Sequence, residues 1–233
     1  MDGDTPRSQT TVILAMSVDG KIADSNRSAA RFGSTNDKRH LETQIARVDG
    51  VLFGTGTLNA YGTTLRVSSP ALLQQRHQYG KPPQPVQILG SRSAAIDAQL
   101  PFFKQPVPRW LLTTSNGANR WRDSTAFEHV LVVETPTGSI DWRVALQTFA
   151  NLGLNQIAVL GGGELVAALL AADLIDEFWL TICPLILGGR EAPTPVEGMG
   201  FLEAYAPRLE LLTVRSLEHE VFLHYRVIRT AKG

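Results

Sequence analysis

The chain has 233 residues, 43% of them hydrophobic and 19% charged, an ordinary globular balance that builds a core without disulfide or metal staples. Its 22 Lys and Arg balance 22 Asp and Glu, so no long-range field draws it to nucleic acid or an anionic membrane, and weak self-repulsion favours association. The lone cysteine, Cys183, excludes an internal disulfide and a multi-thiolate zinc site.

In chain order, residues 1–10 read as a disordered polar arm and residues 11–230 as a single domain. Thr11–Met16 (TVILAM) reads as a buried strand, closed by an Asp19-Gly20 turn. Asn36–Arg47 reads as a helix capped by Ser34 or Thr35, with Leu41, Ile45 and Val48 on one face. Val51–Phe53 is a short apolar strand that runs into Gly54-Thr55-Gly56-Thr57. Ser69-Pro70 opens a helix that Gly80 closes, and Lys81–Pro85 is a stiff loop. Strands follow at Val86–Leu89, Trp110–Thr113 and Val130–Val133, then a helix at Trp142–Leu152. Ile157–Leu160 is a strand, Gly161-Gly162-Gly163 a turn, Glu164–Ala171 a helix and Phe178–Ile182 a strand. Leu209–Ser216 and Val221–Ile228 read as a closing hairpin.

This alternation implies an α/β fold, with a mainly parallel central sheet flanked by helices and an antiparallel C-terminal hairpin. No run approaches the ~18 apolar residues of a membrane span, and Met1 to Thr11 is too polar for a signal peptide. A cytoplasmic location is expected, with Cys183 a buried and inert thiol.

Several motif fragments fail on spacing. His219 and His224 are five apart where a helical zinc site needs four, and Val221-Phe222-Leu223 between them is strand-forming. His40-Leu41-Glu42 lacks the Pro-Cys-x-x-Cys of a zinc deaminase. A dinucleotide fingerprint needs glycine at positions occupied by Asn59 and Val166. No metal site is expected.

Two strand–glycine turn–helix junctions remain, at 51–58 and 157–170. A glycine turn behind a parallel strand lets backbone approach a phosphate or nicotinamide, and the next helix offers unpaired N–H groups to an anion. Either junction also reads as a plain tight turn, the second less readily because three successive glycines weaken folding. Met16–Ala23 leaves the first strand through a polar turn. As residues alone, Asp19-Gly20 is a surface turn, or else Lys21 holds a substrate by charge while Asp19 orients it.

The segments AMSVDGKIA (15–23), VDGVLFGTGTL (48–58) and GGGELVAALLAADLIDEFWLTICPLILGGREAPT (161–194) together resemble the reductase domain of riboflavin biosynthesis. The resemblance runs in order from Thr11 to Ile228 and implies the dihydrofolate reductase-like fold. It implies an NADPH-dependent reductase of 5-amino-6-(5-phosphoribosylamino)uracil that delivers hydride to C1′ to give the ribitylamino product. It would be a stand-alone homodimer that lacks the deaminase half of bifunctional members. Carried over by motif, Gly54, Thr57, Ser91, Gly161, Gly162, Gly163 and Glu164 would approach NADPH, with one Gly-Gly peptide within 161–163 in the cis form. Lys21 would contact the pyrimidine or ribose, with Asp19 or Lys21 as the proton donor. Ser34, beside an aromatic match at Phe32, would contact substrate, and Arg66 would bind its phosphate.

Two departures stand out. Ala60-Tyr61-Gly62 replaces the family's Asp-Asp-Pro, and Leu160 replaces the glutamate before the glycine turn. NADPH-dependent reduction of another pteridine-like or carbonyl substrate, or nucleotide binding without turnover, are the alternatives these losses leave open.

Overall fold

The computed structural model describes residues 6–229. In chain order the elements are β1 (Gln9–Ser17), α1 (Thr35–Ile45), β2 (Gly50–Gly54), α2 (Thr55–Tyr61), α3 (Pro70–Gln78), β3 (Val86–Gly90), β4 (Arg109–Thr113) and α4 (Ser115–Asn119). After these come β5 (His129–Val132), α5 (Trp142–Asn151), β6 (Gln156–Val159), α6 (Gly163–Ala171), β7 (Glu177–Cys183), β8 (Arg208–Leu217) and β9 (Glu220–Ile228). Contacts divide the chain into two compact units. Of the described residues, the first holds 6–9 and Glu42–Ala158, the second Thr10–Leu41 and 159–229.

In the first unit the strands lie in the order β5-β4-β3-β2-β6, and β2, β3, β4 and β5 pair in parallel. Parallel pairing needs crossovers, and the sequence supplies them as helices with legible starts. Asp141 caps α5 by accepting from the backbone N–H groups of Arg143 (3.1 Å) and Val144 (3.0 Å). Ala145, Leu146 and Phe149, at helical spacing, are its buried stripe. Val51, Leu52, Ile88, Leu89, Leu111 and Leu112 are all at most 0% exposed, as expected for strands covered on both faces, and burial stabilises by roughly 1.5–3 kcal/mol per large side chain.

The same unit encloses a cation. The Arg76 side chain is almost wholly buried, and its Nε donates to Pro82 O (2.7 Å) while Nη1 donates to Ala46 O (3.1 Å) and Val48 O (2.8 Å). It thereby ties α3, the proline-rich loop and the chain leaving α1.

In the second unit the order is β1-β7-β9-β8. β1 and β7 are parallel, whereas β7–β9 and β9–β8 are antiparallel. The hairpin expected at the C-terminus is therefore present. Ser34 is the residue that caps α1, its hydroxyl accepting from Asn36 N (2.9 Å) and Asp37 N (3.2 Å).

Residues 8–10 do not belong to the expected disordered arm. Met1–Thr5 lie outside the described residues, but order begins well before Thr11. Ser8 is buried, donating from Oγ to Leu154 O (2.6 Å), and Gln9 already starts β1. Polar composition misled here because buried Ser8 and Thr10 satisfy their hydroxyls on backbone carbonyls rather than on water. The first helix also stops at Ile45 rather than Arg47.

Candidate active site

In the first unit, β2 ends at Gly54 directly opposite Gly90, the last residue of β3, and Ser91 follows it. The structure thus brings Gly54 and Ser91 to neighbouring strand ends. A Cβ on Gly90 would lie 3.0 Å from Cη2 of Trp142, which accounts for that glycine by packing alone. Gly54 is the N-cap of α2 and has no side-chain cap, and a Cβ on Gly56 would meet nothing within 4 Å. The start of α2 is therefore open to a ligand, with half-buried Thr57 in its first turn. Ser91 is buried, and its hydroxyl accepts from Ala94 N (3.0 Å), so it shapes its own loop. Arg66 stands exposed on the connection between α2 and α3.

In the second unit, β1 ends at Ser17 and the chain folds back at once. Ser17 N donates to Lys21 O (2.9 Å) and Lys21 N to Ser17 Oγ (2.9 Å). The Asp19 carboxylate accepts from Ser17 Oγ (2.6 Å), Leu187 N (3.1 Å) and Gly188 N (2.7 Å). The Ser17 hydroxyl and these two backbone N–H groups lower its pKa to about 2. At neutral pH Asp19 is therefore an ionised acceptor with no proton to give. Lys21 Nζ donates to Ala192 O (3.1 Å), which leaves two of its three N–H donors for a ligand.

The second glycine turn follows β6. The Gly161–Gly162 peptide is cis, as the resemblance implies, and Gly161 adopts φ +91°, a conformation that favours glycine. Gly162 is the N-cap of α6, again without a side-chain cap, and exposed Glu164 sits in the first turn. Gly163 is glycine for a different reason: a Cβ there would fall 2.3 Å from Thr194 O and 2.7 Å from Glu197 Cγ. Thus the segment 185–197 touches the Asp19–Lys21 turn at one end and the Gly161–Gly163 turn at the other. No site residue was expected in that segment, although its Gly188-Gly189 and Pro193 mark a shaped loop.

Ser34 has its hydroxyl engaged within the fold. Its hydroxyl donates to Glu220 Oε2 (2.6 Å) while capping α1, and its N–H donates to Glu220 Oε1 (2.9 Å). Glu220 also accepts from the Cys183 thiol (3.7 Å). Burial, then the charges of Asp37 and Glu220, push that thiol up to about 12, so the inert reading of Cys183 holds. Sequence reasoning missed this buried acidic group entirely. Asp37, also buried, is held above the usual carboxylate range mainly by desolvation, against the Thr181 hydroxyl, which lowers it. A raised carboxyl contributes stability that is complete below its unfolded pKa and lost as pH rises through the folded one. Asp37→Asn, which keeps an acceptor for Thr181, is expected to raise Tm at pH 7.5 and flatten its decline from acid to neutral pH. An unchanged Tm–pH curve would refute this.

The opposite sign applies to Asp19. Its stabilisation is present above the unfolded value of 3.8 and disappears as pH falls toward about 2. Asp19→Asn should therefore lower Tm at pH 7 and converge on the wild type below pH 2, which thermal melts across that range will read directly.

A mainly parallel sheet that closes in an antiparallel hairpin, with uncapped glycine turns behind β2 and β6, defines a dihydrofolate reductase-like α/β protein. A dihydrofolate reductase from Enterococcus faecalis, solved in complex with NADP(H), shares the fold at TM-score 0.51 and 13% identity, over 95% of this chain and 98% of that one. The model of the RibD C-terminal domain matches residues 9–223, and the chain belongs to that family. It is 27% identical over 192 residues to the 2,5-diamino-6-ribosylamino-4(3H)-pyrimidinone 5′-phosphate reductase of Archaeoglobus fulgidus, covering 82% of this chain and 87% of the relative. A pyrimidine reductase-like protein from Corynebacterium diphtheriae superposes with TM-score 0.80 at 22% identity, covering 96% of this chain and 93% of its own.

Proposed function

We propose that this chain is the NADPH-dependent reductase of riboflavin biosynthesis, a single reductase domain acting as a cytoplasmic homodimer. It reduces the ribosylamino group of a phosphorylated aminopyrimidine to the ribitylamino product. The observation that carries the reading is the Gly161–Gly163 turn, where left-handed Gly161 leads into an α6 N-terminus that no side chain caps. Such an end suits an anionic dinucleotide, because backbone N–H groups and the helix dipole favour negative charge. The open, uncapped start of α2 at Gly54–Thr57 fits the same kind of ligand. When bound, NADPH supplies the hydride.

The chain's own residues bind, orient and supply charge. Lys21, fixed by Ala192 O at one donor, turns its other N–H groups to the substrate and serves as proton source. Asp19 positions the Lys21 turn and takes no part in proton transfer. Exposed Arg66 binds the substrate phosphate by charge-assisted hydrogen bonds. Ser91 and Ser34 act through the loops they hold, and Glu164 borders the cofactor from the first turn of α6.

5-Amino-6-(5-phosphoribosylamino)uracil and the diaminopyrimidinone in the Archaeoglobus relative's name differ only at C2 of the ring. NADPH oxidation followed by absorbance with each pyrimidine tests the function and resolves the C2 group. Saturable oxidation with either supports it, whereas NADPH binding without oxidation of either would defeat it. Lys21→Gln is expected to raise KM for the pyrimidine about tenfold, the equivalent of one charge-assisted hydrogen bond. An unchanged KM would remove Lys21 from the site.

A further inference from the structure

Among the described residues the outermost strand of the second unit, β8, pairs only with β9, which leaves its far edge of backbone N–H and C=O groups without a strand partner there. Edges of this kind are blunted by a short strand, proline, charged side chains or a bulge, and β8 carries charge and a bulge but neither of the first two. Here the strand is ten residues long, has no proline and exposes Leu209 (40%), Leu211 (50%) and Val214 (61%).

A register shift between Leu211 and Thr213 decides what this edge fits. Glu210 and Arg215 are five apart, so in a regular strand they would point to opposite faces. The bulge places one extra residue between them. Their partners on β9, Arg226 and Phe222, are four apart, which puts Glu210 and Arg215 on one face. Leu211 and Val214, opposite Tyr225 and Leu223, share the other face.

We infer that two copies of this chain join β8 to β8, antiparallel, about a two-fold axis between Leu212 and Thr213; the inference rests on the homodimer proposed above. In that register Glu210 lies opposite Arg215 of the second copy, and Arg215 opposite its Glu210. Leu211 meets Val214 of the second copy on the other face, and the reciprocal pair repeats it. Both of these opposed pairs share a face on both strands, which a two-fold interface requires. The strand is thus complementary to itself in charge and in apolar pattern, and a second copy is the partner that this pattern selects.

Sedimentation equilibrium on the full chain tests this with Glu210→Arg and Arg215→Glu. Each variant alone opposes like charges twice, and its dimer Kd should rise at least about tenfold. An equimolar mixture of the two variants restores both opposite-charge pairs and should return to within about threefold of the wild-type Kd. Disturbance within one chain, such as loss of the Glu210–Arg226 pair (3.2 Å), persists in the mixture and cannot produce that recovery. Circular dichroism verifies that each variant is folded. If the variants dimerise as tightly as the wild type, or the mixture does not recover, the β8 interface is overturned while the homodimer stands. A monomeric wild type overturns the homodimer itself.

Discussion

Arg76→Met is expected to destabilise the protein by about 4 kcal/mol and lower its Tm by roughly 10 °C. Methionine fills much the same space, so little of this loss is a cavity. It comes from Pro82 O, Ala46 O and Val48 O, which the guanidinium now satisfies at 2.7, 3.1 and 2.8 Å and which would be left without their donor. Burial pulls the Arg76 pKa below its usual value and the charge of Asp49 pulls it back, yet an arginine stays protonated throughout the working range. Arg76→Lys should recover only part of the loss, because one ammonium cannot reach three carbonyls spread over two separate stretches of chain. Urea denaturation of both variants measures the effect, and a loss below about 1 kcal/mol for methionine would show that water replaces the missing donor.

Gly163→Ala is expected to cost about 2 kcal/mol and to weaken NADPH binding. Two effects oppose each other. Alanine is the better helix former by up to ~1 kcal/mol, and φ at Gly163 is not positive, so backbone strain is not at issue. Against this, the added methyl would sit 2.3 Å from a backbone oxygen, a distance that a side-chain rotation cannot relieve, and overpacking of this kind costs roughly 1–3 kcal/mol. Overpacking wins. The relief must come from moving Thr194–Glu197 or the turn itself, and the turn is the part proposed to receive the cofactor. Differential scanning calorimetry and NADPH titration read the two consequences separately. A variant as stable as the wild type, with unaltered affinity, would show the 194–197 segment to be freely displaced.

Much of the fold was legible because its strands are covered on both faces. Val51–Phe53 and Val86–Leu89 are continuous apolar runs bounded by glycine or proline, and each falls within an observed strand. The glycine turns were legible as backbone features. Their individual reasons were not, since Gly161 is required by its dihedral, Gly163 by the distant Thr194, and Gly56 by neither. The same limit applied to Ser34, Asp37, Cys183 and Glu220. Ser34 and Asp37, at the start of α1, lie far along the chain from Cys183 and Glu220, and only the pairing of β7 with β9 brings the latter two together beneath that helix start. Short α4 went unread because Ser115–Asn119 contains a glycine and two asparagines and owes its start to Thr114, whose hydroxyl accepts from Gly117 N.

The fastening between Asp19 and the loop after β7 has a bearing on protein engineering. At Leu187 the carboxylate grips the main chain and ignores the side chain. Nineteen of the twenty amino acids carry the required N–H, and proline alone does not. Combinatorial libraries at position 187 can therefore reshape this rim of the molecule while its anchorage persists.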